Sequence, residues 1–198
     1  MSMIEERKPK LLLHVCCAPC SSHVLELLSN EYDITVYFYN PNITDNDEYD
    51  KRFGELERFV GEAPFAMDVK TVDGGYDSKI FFEMSKGMEE LPERGARCYQ
   101  CYKLRMEEAA RYAQLNGYDV FTTSLSISPH KNANWINEIG ALCQEKYGVD
   151  YMYSDFKKKN GYARSIQLSK EYSLYRQDYC GCIFSKRDKI EKNNNSLV

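Results

Sequence analysis

The chain has 198 residues, of which 43% are hydrophobic, and its formal net charge is −4. This length fits one domain, and this composition allows a buried core. No apolar run approaches the ~20 residues of a membrane span, and the charged start, 1–10, lacks the apolar stretch of a secretory signal. We therefore expect a cytoplasmic protein with no membrane partner. In that reducing compartment, grouped cysteines are more often metal ligands or redox groups than structural disulfides.

The predicted elements alternate between short apolar strands and amphipathic helices. The run Leu11-Leu12-Leu13-His14-Val15 is typical of a buried parallel strand. Further strands are expected at 34–39, 67–72, 120–123 and 149–153. Helices are expected at 21–29, 45–61, 103–116, 135–147 and within a basic C-terminal segment, 155–190. The alternation indicates an α/β fold with a mainly parallel sheet in a single domain, 1–192, followed by a disordered tail, 193–198.

Cysteines are the most informative residues of the chain. Six of its eight cysteines fall in three close pairs, which are Cys16 and Cys17, Cys98 and Cys101, and Cys180 and Cys182. Cys20 stands beside the first pair as an optional member, and Cys143 lies in a helical pattern as a buried small hydrophobe. Thiols grouped on separate segments are what a soft metal or an iron–sulfur cluster requires.

Polar or cysteine-containing loops follow three of the predicted strands. Cys16 and Cys17 follow the first strand, 40–42 the second and 124–132 the fourth. Because open α/β sheets bind ligands beyond the carboxyl ends of their strands, we expect a thiol-lined cleft at this edge. His130 is the candidate there for substrate contact or proton transfer. The first loop lacks the glycine-rich pattern of a phosphate cradle, which argues against nucleotide activation.

The type of metal site is not determined by the cysteine spacing. Four thiolates suit an iron–sulfur cluster or tetrahedral zinc, and bare redox thiols are the third alternative. Adjacent Cys16 and Cys17 favour the cluster, because zinc sites usually place two to four residues between paired cysteines. Two alternatives stay open for Cys180-Gly181-Cys182: a strained, easily reduced disulfide with a catalytic role, or further metal ligands.

The basic residues are concentrated near the end of the chain. Residues 151–198 hold ten Lys/Arg and five Asp/Glu, a surplus of five, so the other 150 residues carry −9 (−4 − 5). This segment suits contacts with nucleic-acid phosphates, and interleaved tyrosines such as Tyr162 can stack on bases. The candidate contacts are Lys157, Lys158, Lys159 and Arg164. The alternative is an ordinary solvated helix face.

Taken together, these motifs resemble the cobalamin-independent epoxyqueuosine reductases, the QueH family. The resemblance covers nearly the whole chain and is carried by the stretches 14–20, 37–43, 97–102, 121–131, 155–162 and 164–182. It implies a Rossmann-like α/β fold similar to the nucleotide-binding fold of the tRNA-thiolating ATP pyrophosphatases. In that comparison, cysteines stand where the phosphate loop would be.

The resemblance also implies an oxidoreductase of queuosine biosynthesis. Such an enzyme deoxygenates epoxyqueuosine at the wobble position of tRNA to queuosine, with two electrons from an external donor. The implied ligands of a 4Fe–4S cluster, with an additional iron as a further option, are Cys16, Cys17, Cys98 and Cys101. Cys180 and Cys182 are the implied redox-active, disulfide-forming pair. From the chemistry of the reaction, we expect water, His130 or a nearby acid to supply the protons. Two other functions stay open here: an ATP-dependent tRNA thiolase-like enzyme and a zinc-stabilised RNA-binding module.

Overall fold

The computed structural model describes residues 7–195, which form one parallel five-stranded sheet with helices on both faces. The strands are β1 (Lys10–His14), β2 (Asp33–Phe38), β3 (Lys70–Asp73), β4 (Val120–Thr123) and β5 (Asp150–Tyr151). The α-helices of this part of the chain are α1 (Ala18–Leu28), α2 (Asn46–Glu62), α3 (Ser78–Ser85), α4 (Ala96–Leu115), α5 (Ala133–Tyr147), α6 (Gly161–Glu171) and α7 (Ile183–Asn195).

The strand order places the carboxyl end of β1 at the centre of the sheet. The order is β3-β2-β1-β4-β5, so the chain builds one half of the sheet outward from β1 and then crosses to the other half. His14, the last residue of β1, is paired with Tyr37 on one side and with Thr123 on the other. Ligand sites of open α/β sheets lie at such a reversal of strand order. The prediction of a Rossmann-like α/β fold is confirmed.

Alternate residues of β1 supply the two halves of the core. Leu11 and Leu13 pack on the face covered by α1 and α2, whereas Leu12 packs on the face covered by α4 and α5. All three side chains are fully buried. A strand with helices on both sides has no solvent-facing side, which is why its sequence is continuously apolar instead of alternating.

The helices differ from the predicted ones at two places. Helix α4 begins at Ala96 and not at 103, so the C-x-x-C lies on its first two turns. Helix α3 lies at 78–85, where no element is predicted. Within the predicted helical segment, 155–190, the helices are α6 and the first part of α7, and the stretch between them, 172–182, contains the C-G-C.

The end of the chain is only partly described. Helix α7 runs to Asn195 and therefore includes the first residues of the predicted disordered tail, 193–198. Residues 196–198 lie outside the described residues, and so do 1–6 at the other end. Within 7–195, no helix combines the length and the apolar character needed to cross a membrane. The division into a domain, 1–192, and a tail stays a prediction.

Two helical glycines provide a test of the packing around the sheet. A methyl group on Gly140 would lie 2.2 Å from the Tyr151 ring, whereas one on Gly54 meets nothing within 4 Å. We expect Gly140→Ala to lower the free energy of unfolding by ~1–3 kcal/mol through overpacking. Gly54→Ala should raise it by roughly 0.5–1 kcal/mol, because alanine loses less backbone freedom in a helix. Urea denaturation of both variants measures the difference, and equal effects would contradict this packing.

Candidate sulfur-lined active site

A cavity of about 410 Å³ lies at the carboxyl edge of the sheet, next to the ends of β1 and β4. Its sulfur-bearing wall comes from three separate segments of the chain and consists of Cys16, Cys17, Cys20, Cys98 and Cys180. Other walls are formed by the loop 127–131 after β4, by Tyr162 and Ser165 on α6, and by the stretch 176–180. Its volume is in the range of cavities that bind small organic groups, ~300–1,000 Å³.

The first group of sulfurs, which we call the thiol trio, consists of Cys16, Cys17 and Cys20. Their Sγ atoms all lie within 4.8 Å of one another, and those of Cys16 and Cys17 are 3.8 Å apart. One tetrahedral metal with sulfur ligands at ~2.3 Å separates those sulfurs by about 3.8 Å. The trio can therefore bind a metal or part of an iron–sulfur cluster. Cys20, an optional member by sequence, belongs to the trio in the structure.

The three thiols of the trio have very different pKa values. They lie at the amino end of α1, where Cys17 is the N-cap residue. Hydrogen bonds from the thiols of Cys17 and Cys20 hold the pKa of Cys16 well below its usual range. Hydrogen bonding to Cys16 raises the pKa of Cys17 to about 11, and a separate hydrogen bond between Cys20 and Cys16 raises the pKa of Cys20. Because one sulfur accepts from two neighbours, the metal-free trio is set to carry one thiolate at Cys16 and two thiols.

The second group of sulfurs, the thiol quartet, lines a small cavity of about 20 Å³ next to the main one. Its members are Cys98 and Cys101 on α4 and Cys180 and Cys182 in the C-G-C. Cys98 and Cys101 are three residues apart on the helix, so their side chains share one face. Burial raises the pKa of Cys101 to about 11 and that of Cys182 to about 12.

Backbone N–H groups point at two sulfurs of the quartet. The amide of Arg94 donates to Cys98 Sγ at 3.3 Å, and the amide of Ser185 donates to Cys182 Sγ at 3.3 Å. Arg94 holds a left-handed backbone with φ 68. Such donors favour the anionic form of sulfur and offset part of the effect of burial.

The two groups of sulfurs are adjacent. Cys98 and Cys180 line both cavities, whereas Cys101 and Cys182 line only the small one. The predicted ligand set, Cys16, Cys17, Cys98 and Cys101, therefore spans both groups. All eight cysteines of the chain are free thiols, so the predicted redox-active pair, Cys180 and Cys182, has the dithiol form here.

A buried arginine of α2 holds the C-G-C in place. Arg52 is 1% exposed, and its guanidinium donates to the carbonyl of Cys180 at 3.0 Å and to Glu48 Oε1 at 2.7 Å. Gly181 has φ 117, and a side chain there would press on Ile43 and on Arg52 itself. Only glycine permits this conformation and this close approach together.

His130 lies in the wall of the main cavity, as the sequence predicted. Arg94 Nη2 lies 2.6 Å from its Nδ1. A guanidinium can only donate, so Nδ1 is the acceptor and the ring carries its proton on Nε2. His14 is different, because it is fully buried and its two nitrogens bond to Thr123 Oγ1 and to the carbonyl of Tyr39. Burial, with a smaller effect of Arg105, lowers the pKa of His14 to about 3.

Sequence reasoning missed Lys131, although it directly follows His130. Its side chain lines the cavity beside the trio. Burial alone would lower its pKa, but the sulfurs of Cys16, Cys180 and Cys20 outweigh burial and raise it. Lys131 is therefore a cation beside the trio. The signal in the sequence that indicates it is its position in a polar loop directly after a strand.

The predicted phosphate-binding residues lie at the same edge of the sheet as the cavity, because 157–159 follow β5. Lys157 and Lys158 form ion pairs with Asp155 at 2.5 and 3.7 Å. Arg164 pairs with Glu26 at 2.5 Å, which keeps the pKa of that carboxylate below its usual range. The structure thus places carboxylates beside three of these cations, and none of the four lines either cavity.

The chain is similar to known proteins over most of its length. The model of a family described as epoxyqueuosine reductase QueH matches residues 11–188. The epoxyqueuosine reductase QueH of Streptococcus pyogenes serotype M1 is 43% identical over 185 residues, which cover 92% of this chain and 72% of the relative. That of Staphylococcus epidermidis is 44% identical, with coverage of 90% and 76%. That of Thermotoga maritima is 36% identical, with coverage of 92% and 93%.

The unequal protonation of the trio predicts which thiol reacts first in metal-free protein. We expect iodoacetamide at pH 7 to label Cys16 faster than Cys17 or Cys20, since the thiolate is the nucleophile. The rate at Cys16 should fall only when the pH drops through its lowered pKa. Cys17→Ala removes the main donor and should slow labelling of Cys16 at neutral pH. Mass spectrometry of digests measures each rate, and an unchanged pH profile in Cys17→Ala would contradict the assignment.

Proposed function

Since this chain belongs to the epoxyqueuosine reductase QueH family, we propose that it reduces epoxyqueuosine to queuosine at the wobble position of tRNA. The observation that supports this most is the sulfur wall of the main cavity, where thiols from three segments face one space. The reaction removes the epoxide oxygen as water and leaves a carbon–carbon double bond. It consumes two electrons and two protons.

The donor set suits an iron–sulfur group, because it consists of thiols from converging segments, and the buried cations Arg52 and Arg105 act on these thiols. We assign Cys16, Cys17, Cys98 and Cys101 as the ligands of a 4Fe–4S cluster. When bound, the cluster would supply electrons one at a time. Cys20 lies outside this ligand set and outside the Cys180 and Cys182 pair, so its sulfur is the donor left for one additional iron.

Cys180 and Cys182 are assigned as the second redox group. If the pair is oxidised from two thiols to a disulfide, it releases two electrons and two protons, which is what the removal of one epoxide oxygen as water consumes. The left-handed backbone at Gly181 brings the two residues close, and Arg52 fixes the loop from behind. An external donor then returns the disulfide to the dithiol.

His130 is assigned to the oxygen that leaves. Its Nε2–H is available in the cavity wall because Arg94 holds Nδ1 as the acceptor. A hydrogen bond from Nε2–H to the epoxide oxygen would favour its departure with a proton. Lys131 adds positive charge on the same side of the cavity.

The two alternative functions are not favoured. An ATP-dependent thiolase needs bare backbone N–H groups after the first strand, but that position is taken by Cys16, Cys17 and the start of α1. A zinc-stabilised RNA-binding module needs no cavity at its metal site, whereas the trio lines one of about 410 Å³. A closed site with four ligands is the usual form of structural zinc.

The tRNA is assigned to the surface around the cavity mouth. A wobble base is single-stranded in its loop and can enter a pocket without opening a duplex. Tyr162 in the cavity wall offers a ring for stacking. Lys157, Lys158, Lys159 and Arg164 are assigned to the phosphates of the anticodon stem.

Single-turnover reduction tests the catalytic assignment. Anaerobic protein is reduced, freed of excess reductant and mixed with tRNA carrying epoxyqueuosine, and queuosine is measured by mass spectrometry of nucleosides. We expect Cys16→Ala to lose iron and at least 100-fold in rate. Cys180→Ala should retain iron but lose the single turnover, because the dithiol supplies the electrons. Cys143→Ala is the control, since Cys143 is buried in α5 outside both cavities.

Two results would contradict these assignments. Colourless wild-type protein that contains only zinc would remove the reductase function. Full single-turnover reduction by Cys180→Ala would show that the dithiol is not the electron source.

The salt dependence of tRNA binding tests the phosphate assignment. Changing Lys157, Lys158 and Lys159 together to Ala should weaken binding and flatten the plot of log affinity against log salt, because fewer counterions are released. The control changes Lys8, Lys10 and Lys146 to Ala, which removes the same charge at the opposite edge of the sheet. Fluorescence anisotropy between about 50 and 200 mM salt measures both slopes. An unchanged slope in the first variant would rule out this contact.

A further inference from the structure

Three arginines are almost fully buried: Arg52, Arg97 and Arg105, each at most 2% exposed. The first two have partners that account for their burial. Arg52 pairs with Glu48 at 2.7 Å and binds the carbonyl of Cys180. Arg97 uses one nitrogen to bind three backbone carbonyls of the loop before α4, at 2.6–3.0 Å.

Arg105 lacks partners of this kind. Its Nε donates to the carbonyl of Cys101 at 3.2 Å, and Nη1 approaches Asn40 Oδ1 at 3.4 Å. Its Nη2 is buried and has no hydrogen-bond partner. Within residues 7–195, no carboxylate forms an ion pair with this guanidinium.

A buried cation needs a compensating anion, because desolvation of an isolated charge is among the largest costs in folding. The groups that act on Arg105 are three sulfurs and the hydroxyl of Tyr102. Burial would lower the pKa of Arg105, but the thiols of Cys101, Cys180 and Cys16, with Tyr102, outweigh burial and raise it. These sulfurs belong to both groups, and the guanidinium is hydrogen-bonded directly to the backbone of Cys101 in the quartet.

We propose that Arg105 is the internal counter-charge of the iron–sulfur centre, and that its Nη2–H donates to an anionic sulfur of that centre. This inference depends on the proposed function, because it takes the thiols to hold such a centre. A fixed positive charge favours whichever redox state carries more negative charge, and for an iron–sulfur centre that is the reduced state. Arg105 is thus a positioning residue that sets the reduction potential of the centre, and its side chain lines neither cavity.

Its signature is a shift of the reduction potential. In protein loaded with the iron–sulfur group, we expect Arg105→Met to lower the midpoint reduction potential. The equilibrium constant for reduction should fall at least tenfold, which is 59 mV for a one-electron couple. Arg105→Lys keeps the charge and should recover most of the shift. A dye-mediated redox titration followed by absorbance measures the midpoint without any substrate. If the equilibrium constant for reduction of Arg105→Met lies within twofold of the wild-type value, the inference is overturned.

Stability gained on loading gives a second measurement that separates charge compensation from ordinary packing. A group that binds the folded state raises the unfolding midpoint, and the difference between loaded and unloaded protein reports that gain. We expect this difference to shrink in Arg105→Met. Met106→Ala is the control on the same helix, because Met106 is buried, carries no charge and lines neither cavity. It should lower both midpoints and leave their difference unchanged. If Arg105→Met behaves like Met106→Ala, its role is structural and the inference fails.

The proposed function is tested before any of these variants. Wild-type protein that binds no iron–sulfur group overturns both the proposed function and the inference. Wild-type protein that is loaded and active, with an Arg105→Met midpoint equal to its own, overturns the inference alone.

Discussion

The side chain of Asn40 joins the parts of the molecule on which the site depends. Its Nδ2 donates to the carbonyl of Val15 at 2.9 Å, directly before Cys16, and its Oδ1 faces Arg105 at 3.4 Å. One residue earlier, the carbonyl of Tyr39 accepts from His14. These contacts connect the carboxyl ends of β1 and β2 with the helix that carries the C-x-x-C. Since buried amides and guanidiniums are costly without partners, the strand ends and α4 must fold in this arrangement together.

The two groups of sulfurs meet different environments, although they are neighbours. Cys16 accepts hydrogen bonds from its own group, and the cations Lys131 and Arg105 add to this effect, so the trio supports a negative charge. In the quartet, burial favours neutral thiols at Cys101 and Cys182. The same edge of the sheet thus holds one group that supports a negative charge and another in which burial keeps two thiols neutral. In the proposed reaction the cluster takes ligands from both groups, and the C-G-C pair is the electron store.

The sequence predicted the parts of this structure that depend on local pattern. The strands β1, β2 and β4 were placed to within a residue, because buried parallel strands are short apolar runs. The start of α4 was misplaced because its first turn, around Cys98, has no side-chain cap and few apolar residues. The grouping of Cys20 with Cys16, and the burial of Arg105, depend on contacts across the fold and form no motif. One local signal did exist: Arg105 is four residues after Cys101, so both lie on one face of a helix.

The three cysteine segments are far apart along the chain, at 16–20, 98–101 and 180–182, and this has a consequence for biosynthesis. Chains grow at ~5–20 residues per second, so the C-G-C is made roughly 10–30 s after the trio. During that interval the three cysteines of the trio exist without the walls that later enclose them. A nascent chain that has not reached residue 182 cannot present all three segments to one group. A metal or cluster that is bound by all three segments must therefore be inserted after α6 and the loop that follows it have been made. Until then, the trio alone is exposed to binding of a competing metal.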